Sequence, residues 1–293
     1  MRELDARNHG VLQGTVMKYS LSLYEKAMPD DMPLNEKLLA SRACGYDGME
    51  LCVDLNPQRE ARLNWTARER REISAFLIDN GMRIPTFSLS ALRACPLGEL
   101  DTVKNVRALD MLEKSAWLCC DIGSHVILIN GYDVYSTPST PQTVERFGEN
   151  IVKAAELCAS YGVILAIENA ERQFIDCFGK AAQWVRRVDS PYFRIYGDVG
   201  NTFNAYQGDV LHALSDFETG RGITAAVHLK DTLPGEYRFT RYGEGHVDFV
   251  QAVKKSMDIG VRLFTAELFY QENLNWREEA TRVNTFLRSF FPA

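Results

Sequence analysis

The sequence lacks the features that mark several large classes of protein. No apolar run reaches the roughly 18 to 20 residues of a membrane span, and the N-terminal MRELDARNHG has no apolar core of a secretory signal. Basic residues are outnumbered, 33 against 39 acidic ones, so the net charge is -6. We therefore expect a cytoplasmic protein with neither nucleic acid nor a membrane among its partners.

The sequence also has no C-x-x-C motif among its seven cysteines. An odd number of cysteines in a chain of ordinary size is typical of free, buried thiols in a reducing compartment. The composition, 46% hydrophobic and 25% charged, is that of a globular protein and excludes disorder. The 293 residues suffice for one large domain with a short extension.

Short apolar runs alternate with segments of helical spacing along the whole chain. We predict eight strands, at 16–23, 46–53, 83–90, 124–130, 163–168, 193–198, 223–229 and 262–268. The helical segments between and after them are 35–44, 66–80, 101–121, 141–160, 178–188, 208–217, 248–258 and 276–290. This alternation predicts a single α/β domain, a (β/α)8 TIM barrel over residues 16–293, preceded by an arm at 1–15. A doubly wound open sheet is the alternative, but no G-x-G-x-x-G follows the first strand.

Polar residues stand at the carboxyl ends of the last four predicted strands. They are Glu168, Asp198, His228 and Glu267, separated by 30, 30 and 39 residues, about one βα unit each. Because such barrels carry their chemistry at the carboxyl ends of the strands, we expect these side chains to meet. Three carboxylates and an imidazole suit a divalent metal ion such as Mn²⁺, Zn²⁺, Co²⁺ or Mg²⁺, which would also relieve the repulsion among the carboxylates.

Sequence motifs add a family resemblance that covers nearly all of the chain after residue 20. The motifs are LYEKAMP (23–29), GMELCVD (48–54), IPTFSLSALRACPLG (84–98), NGYDVY (130–135), IYGDVGN (195–201), AVHLKDT (226–232), YGEGHVDF (242–249) and AELF (266–269). In these segments the chain resembles the L-ribulose-5-phosphate 3-epimerases, also called L-xylulose-5-phosphate 3-epimerases, of the xylose-isomerase-like barrel superfamily. It departs from the family pattern at Leu92 and Leu233, where the family has His and Lys. These departures put the identity of the substrate in question more than the class of reaction.

The resemblance implies that the four strand-end residues bind the metal and that Glu168 and Glu267 are also the catalytic acid/base pair. The implied reaction is metal-dependent C3 epimerisation of a ketose phosphate, of the L-ribulose 5-phosphate and L-xylulose 5-phosphate type, through a cis-enediolate. Inversion needs one acid/base group on each face of that planar intermediate. The resemblance also fits a homodimer or homotetramer.

Other functions remain open at this stage. A 3-epimerase of non-phosphorylated ketoses, or an aldose–ketose isomerase of the hexulose-6-phosphate type, would use the same metal and enediolate. A non-catalytic sugar-phosphate binding protein is a more distant rival. The five histidines and the negative net charge argue against a DNA-repair endonuclease, which needs several metals and a basic groove.

Further residues near the strand ends are predicted to contact a sugar or sugar-phosphate substrate: Tyr24, Glu50, Arg93, Asn201, Lys230 and Arg238. For Glu50 the alternatives are support of His228 from behind and a plain structural carboxylate. For Lys230 the alternative is an ion pair, for Asn201 a turn, and for Arg238 a solvated position on the surface. The glycines at 243 and 245, in the loop that carries Arg238, also suggest a phosphate contact there. No cofactor other than the metal is expected.

Overall fold

Eight parallel strands, taken in sequence order, close into a barrel in the computed structural model, which describes residues 19–292. The predicted arm at 1–15 and the first residues of the predicted first strand, 16–18, lie outside the described residues. The strands are β1 (Ser20–Tyr24), β2 (Gly48–Val53), β3 (Thr86–Leu89), β4 (Val126–Asn130), β5 (Ile164–Glu168), β6 (Phe193–Asp198), β7 (Thr224–Leu229) and β8 (Leu263–Ala266). The predicted barrel is confirmed.

Helices cover the outside of the barrel. Those of the described residues are α1 (Leu34–Ala43), α2 (Pro57–Glu60), α3 (Ala67–Asp79), α4 (Thr102–Ile122), α5 (Pro141–Ser160), α6 (Phe178–Val188), α7 (Val199–Ala205), α8 (Val210–Phe217), α9 (Phe249–Asp258) and α10 (Trp276–Arg288). All eight predicted helices are present. The prediction missed α2 and α7, which are too short for a helical period to stand out.

Capping residues set several of these helix boundaries. The backbone N–H of Glu69 donates to Oγ1 of Thr66 at 3.3 Å, and the backbone N–H of Thr66 donates to the Glu69 carboxylate at 2.7 Å, which closes a capping box before α3. Gly123 ends α4 with a φ of 73°, a left-handed conformation that glycine adopts without steric cost.

The two-residue period of the strands separates two cores and positions the site. Most buried apolar side chains fill the layer between the strands and the helices. A smaller core inside the barrel consists of Val126, Leu128, Ala166, Tyr196 and Ala226. Each of the last four residues of this inner core is followed, two positions later, by a polar residue on the same inner face. These polar residues are Asn130, Glu168, Asp198 and His228. The inside of the barrel thus changes from apolar to polar at the carboxyl ends of the strands.

The cysteine side chains are free thiols, as their odd number and spacing predict. All seven cysteines are free and six are buried, whereas Cys120 is exposed, so the expectation of buried thiols holds for all but this one. Within residues 19–292, no helix combines the length and the apolar character that crossing a membrane requires.

Candidate active site and metal centre

The four predicted metal ligands meet at the carboxyl ends of β5 to β8. Each of Glu168, Asp198, His228 and Glu267 offers one ligand atom, and these atoms lie within 4.8 Å of one another. The first three residues are buried, and the side chain of Glu267 is 10% exposed. We refer to these residues as the four-residue cluster. The structure therefore brings together the side chains that the strand ends predicted.

The orientation of Asp198 follows from its place at the start of a helix. Its Oδ1 caps α7 by accepting the backbone N–H of Asn201 at 2.8 Å, which leaves Oδ2 directed towards the cluster. The amide of Asn201 donates to the backbone oxygen of Asn169 at 2.8 Å. Of the two roles considered for Asn201, the turn-forming one matches these contacts.

His228 lies between two carboxylates. Its Nδ1 is 2.7 Å from Oε1 of Glu168, and its Nε2 is 2.8 Å from Oε1 of Glu50. Glu50 is fully buried inside the barrel and also accepts hydrogen bonds from the hydroxyls of Tyr196 and Thr86, at 2.5 and 2.6 Å. Its position matches support of His228 from behind rather than contact with a sugar hydroxyl.

Lys230 reaches into the cluster from the end of β7. Its Nζ lies 2.7 Å from Oδ2 of Asp198 and 2.9 Å from Oε2 of Glu267. Both contacts are buried ion pairs, because the side chains of Lys230, Asp198 and Glu267 are at most 10% exposed. Lys230 therefore forms the predicted alternative, an ion pair with neighbouring carboxylates.

The buried charges of the site do not balance. With all carboxyl groups ionised and His228 protonated, the three carboxylates of the cluster and that of Glu50 carry four negative charges against two positive ones on His228 and Lys230, which leaves two negative charges in surplus. Burial, together with the charges of Glu267 and Glu168, raises the pKa of Asp198 to about 7 despite the nearby ammonium. Such a surplus favours the binding of a divalent cation.

The two glutamates of the cluster differ in pKa because their neighbours differ. Burial raises the pKa of Glu168 more than the charge of His228 lowers it. Burial acts in the same direction on Glu267, but the charges of Lys230 and His228 outweigh it and lower the pKa to about 2. The site therefore holds two carboxyl groups of different acidity, a pattern found in sites where one carboxyl group acts as an acid and another as a base.

The donor set fits a divalent metal ion. Carboxylate oxygens and an imidazole nitrogen are ligands of Mn²⁺, Zn²⁺, Co²⁺ and Mg²⁺. A proton held on Nε2 of His228 by Glu50 leaves Nδ1, which faces the other carboxylates, to act as a ligand. Oδ2 of Asp198 and Oε2 of Glu267, which both face the ammonium of Lys230, would be further ligand atoms.

A cavity of about 180 Å³ opens above the cluster. Its lining comprises Tyr24, Lys26, Ser88, Ser90, Arg93, Asn130, Glu168, His228, Arg238, Phe239, Glu267 and Phe269. Three predicted substrate contacts, at positions 24, 93 and 238, are thus on the cavity wall. Leu92 and Leu233, where the chain departs from the family pattern, are not part of this lining.

Sequence reasoning missed several lining residues. Asn130 donates from Nδ2 to Oε2 of Glu168 at 2.5 Å, and the strand register pairs the two residues. The two-residue period of the strand places Asn130 on the inner face at the end of β4, and this position could have identified it from the sequence. Phe239 lies in an irregular loop, where no periodicity marks a residue as functional.

The glycines that were expected to contact a phosphate, Gly243 and Gly245, bind a side chain of the same loop. Both backbone N–H groups donate to Oδ2 of Asp231, at 2.8 and 3.0 Å, so a phosphate would have to compete with a buried carboxylate for them. A Cβ on Gly245 would stand 2.0 Å from Oδ1 of Asp231. These glycines allow the loop to fold around Asp231.

Comparison with known proteins identifies the class to which the chain belongs. Residues 38–289 match the family described as the xylose isomerase-like TIM barrel, and the chain is a member of this family. The structure of D-psicose 3-epimerase from Clostridium cellulolyticum H10 superimposes with a TM-score of 0.77 over 94% of this chain and 100% of that one, at 15% identity. At this identity the likeness concerns the fold alone.

Relatives of higher sequence identity indicate which enzymes of this family the chain is most similar to in activity class. The chain is 36% identical over 242 residues to SgbU of Escherichia coli (strain K12), which is named for L-ribulose-5-phosphate 3-epimerase activity, and the match covers 80% of this chain and 83% of the relative. It is 34% identical over 229 residues to the L-ribulose-5-phosphate 3-epimerase UlaE of the same strain, with coverage of 78% and 79%. The chain belongs with these epimerases and is an enzyme of the isomerase class.

Proposed function

We propose that the protein is a metal-dependent 3-epimerase of a ketose phosphate, of the L-ribulose 5-phosphate and L-xylulose 5-phosphate type. The observation that carries this proposal is the convergence of the four-residue cluster, with its surplus of buried negative charge, beneath the cavity. The names of relatives at 34% identity and above point to the same reaction.

Glu168, Asp198, His228 and Glu267 would hold the metal ion. The chemistry that such an ion supplies when bound is Lewis-acid stabilisation of negative charge on the substrate oxygens. Glu50 and Asn130 would keep their present tasks, which are to fix the orientation of His228 and of Glu168 through hydrogen bonds at 2.8 and 2.5 Å.

Glu168 and Glu267 would exchange the proton at C3. They come from β5 and from the end of β8, with β6 and β7 between them in the closed barrel, so their carboxylates approach the cluster from different sides. One glutamate removes the C3 proton, which is acidic because the C2 carbonyl takes up the charge, and the other returns a proton to the opposite face. The direction of the reaction decides which glutamate does which.

Cations on the cavity wall support an anionic substrate. Lys26, Arg93 and Arg238 line the cavity. Lys26 is paired with Asp54 at 2.7 Å and Arg238 with Glu171 at 3.5 Å, whereas Arg93 forms no ion pair with a carboxylate of the described residues. The Arg93 guanidinium donates from Nε to the backbone oxygen of Ser90 at 3.1 Å and lies over the ring of Tyr135. Its positive charge, which no carboxylate of the described residues neutralises, favours a phosphorylated over a neutral ketose.

The test is a panel of ketopentoses and ketohexoses, with and without phosphate, assayed in D₂O by NMR. We expect inversion at C3 with solvent deuterium at C3, abolished by a chelator and restored by Mn²⁺, Zn²⁺, Co²⁺ or Mg²⁺. Deuterium at C1 without C3 inversion would identify an aldose–ketose isomerase. Binding without turnover across the panel would identify a sugar-phosphate sensor.

A further inference from the structure

The loop between β7 and α9, residues 230–248, is firmly anchored at its base. Asp231 accepts hydrogen bonds from the backbone N–H groups of Gly243 and Gly245, which ties the two ends of the loop together. An antiparallel bridge joins Leu233 and Glu236, with backbone hydrogen bonds of 3.2 and 2.8 Å. The conformation of the loop is therefore determined by internal contacts.

Phe239, in the outer part of this loop, combines two unfavourable features. Its φ is 67°, in the left-handed region that a bulky side chain rarely adopts, and its side chain is 60% exposed. The other non-glycine residues with positive φ in residues 19–292 are Asp189 and Gln207, both polar. Strained backbone of this kind occurs where the surroundings enforce it and clusters at ligand-binding sites.

The ring of Phe239 lies on the wall of the cavity above the four-residue cluster. It meets the ring of Phe269 edge to face at a centroid distance of 5.9 Å, and Phe269 meets Tyr24 in the same way at 5.9 Å. The neighbouring Arg238 lies over the ring of Phe269, 5.6 Å from its centroid, and pairs with Glu171 at 3.5 Å. The three rings form one continuous aromatic wall.

We propose that Phe239 is a substrate-binding residue whose ring covers the carbon chain of the bound ketose. The C–H face of a sugar packs on an aromatic ring, whereas its hydroxyl groups remain at the edges for hydrogen bonds. Packing would bury the exposed ring of Phe239 and keep water away from the reacting carbon. This inference rests on the proposed function, since it needs a ketose in the cavity.

The test is the substitution Phe239→Gly, which removes the ring and relieves the left-handed strain. We expect the melting temperature to stay the same or rise, while KM for the ketose phosphate turned over fastest rises about tenfold, roughly 1.4 kcal/mol in binding, and kcat changes less than threefold. Phe239→Tyr, which keeps the ring, should retain KM within twofold. Asp189→Gly is the matched control, because it relieves a φ of 49° at the end of α6, before β6 and therefore at the opposite end of the barrel.

The outcomes separate this inference from the proposed function. If KM is unchanged in Phe239→Gly, the inference is overturned while the epimerase activity stands. A clear drop in the melting temperature of Phe239→Gly also overturns the inference, because it would mark Phe239 as a structural residue. If the Asp189→Gly control raises KM equally, the effect is general and the inference fails. If the unaltered protein turns over no ketose, the proposed function falls and the inference falls with it.

Discussion

The ammonium of Lys230 lies 2.7 Å from Oδ2 of Asp198, on an oxygen that a divalent cation would also need. The same ammonium is 2.9 Å from Oε2 of Glu267. Lys230 thus neutralises part of the buried negative charge, and its own charge repels a second cation at the same place. We therefore expect Lys230 to stabilise the protein without metal and to lower its affinity for a divalent cation.

We predict that Lys230→Met weakens the metal-free protein and strengthens metal binding. Removing one partner of a buried ion pair costs about 3 to 5 kcal/mol, and loss of the positive charge favours a cation. Calorimetric melting in chelator and in Mn²⁺ should show a lower melting temperature without metal and a larger rise with it. Lys255→Met, which breaks an exposed pair with Glu218, is the control and should change neither. A smaller metal response than in the unaltered protein contradicts the prediction.

The sequence sufficed to predict the barrel and the positions of the cluster for a simple physical reason. Strands of a parallel barrel end on one rim, and side chains at every second position face inward. Glu168, Asp198 and His228 terminate apolar runs with the required alternation, and the register places Asp198 beside His228. Neither step depends on how the side chains pack.

The contacts of the cluster could not be predicted, because they join residues far apart in the sequence. Glu50 and His228 are separated by 178 positions, and the place of Glu50 in β2 does not decide among a sugar contact, support of His228 and a structural role. The sequence does not decide whether Lys230 contacts substrate or forms an ion pair, because its rotamer depends on the neighbouring carboxylates. The strand ends predict which residues approach one another, and side-chain packing decides which atoms meet.

The two glutamates of the cluster provide a second prediction. Glu168→Gln and Glu267→Gln should each lower kcat for C3 inversion by about 10³-fold, within the range that a positioned acid/base supplies. Because the other glutamate remains, each variant should still exchange the C3 proton of one epimer with solvent, which NMR in D₂O at saturating metal detects. Glu113→Gln is the control, since Glu113 lies on α4, outside the barrel, and accepts a hydrogen bond from Tyr161 at 2.9 Å. Full epimerisation by either variant would rule out the two-base scheme.

A third prediction concerns Glu50, which holds Nε2 of His228 at 2.8 Å. Glu50→Gln should weaken metal binding about 10- to 100-fold, as loss of such a supporting partner does, and titration calorimetry would measure it. At saturating metal, KM for the substrate should stay near its original value. Tyr196→Phe removes a neutral donor to the same carboxylate and should have a smaller effect. A rise in KM without loss of metal affinity would instead make Glu50 a substrate contact.

The last prediction concerns Glu25, a buried carboxylate directly after β1. It accepts hydrogen bonds from Nη1 and Nη2 of Arg62 at 2.5 and 2.6 Å and from the backbone N–H of Cys52 at 2.9 Å, and Nζ of Lys37 lies 3.4 Å away. Burial alone would raise the pKa of Glu25, but the charges of Arg62 and Lys37 outweigh it and lower the pKa below its usual 4.5. Ionised Glu25 therefore stabilises the fold at neutral pH.

Glu25→Gln should cost about 3 to 5 kcal/mol at pH 7, because it leaves two cations buried without their partner. The folded protein holds the pKa of Glu25 below that of the unfolded chain, so its contribution is present above about pH 4.5 and is lost as the pH falls through the folded pKa. Urea unfolding at pH 7 and at pH 3 should therefore show a smaller difference between variant and unaltered protein at the lower pH. The exposed Glu72→Gln, which breaks a surface pair with Arg68, should change little at either pH. An equal loss at both values would mean that the charge of Glu25 does not stabilise the fold.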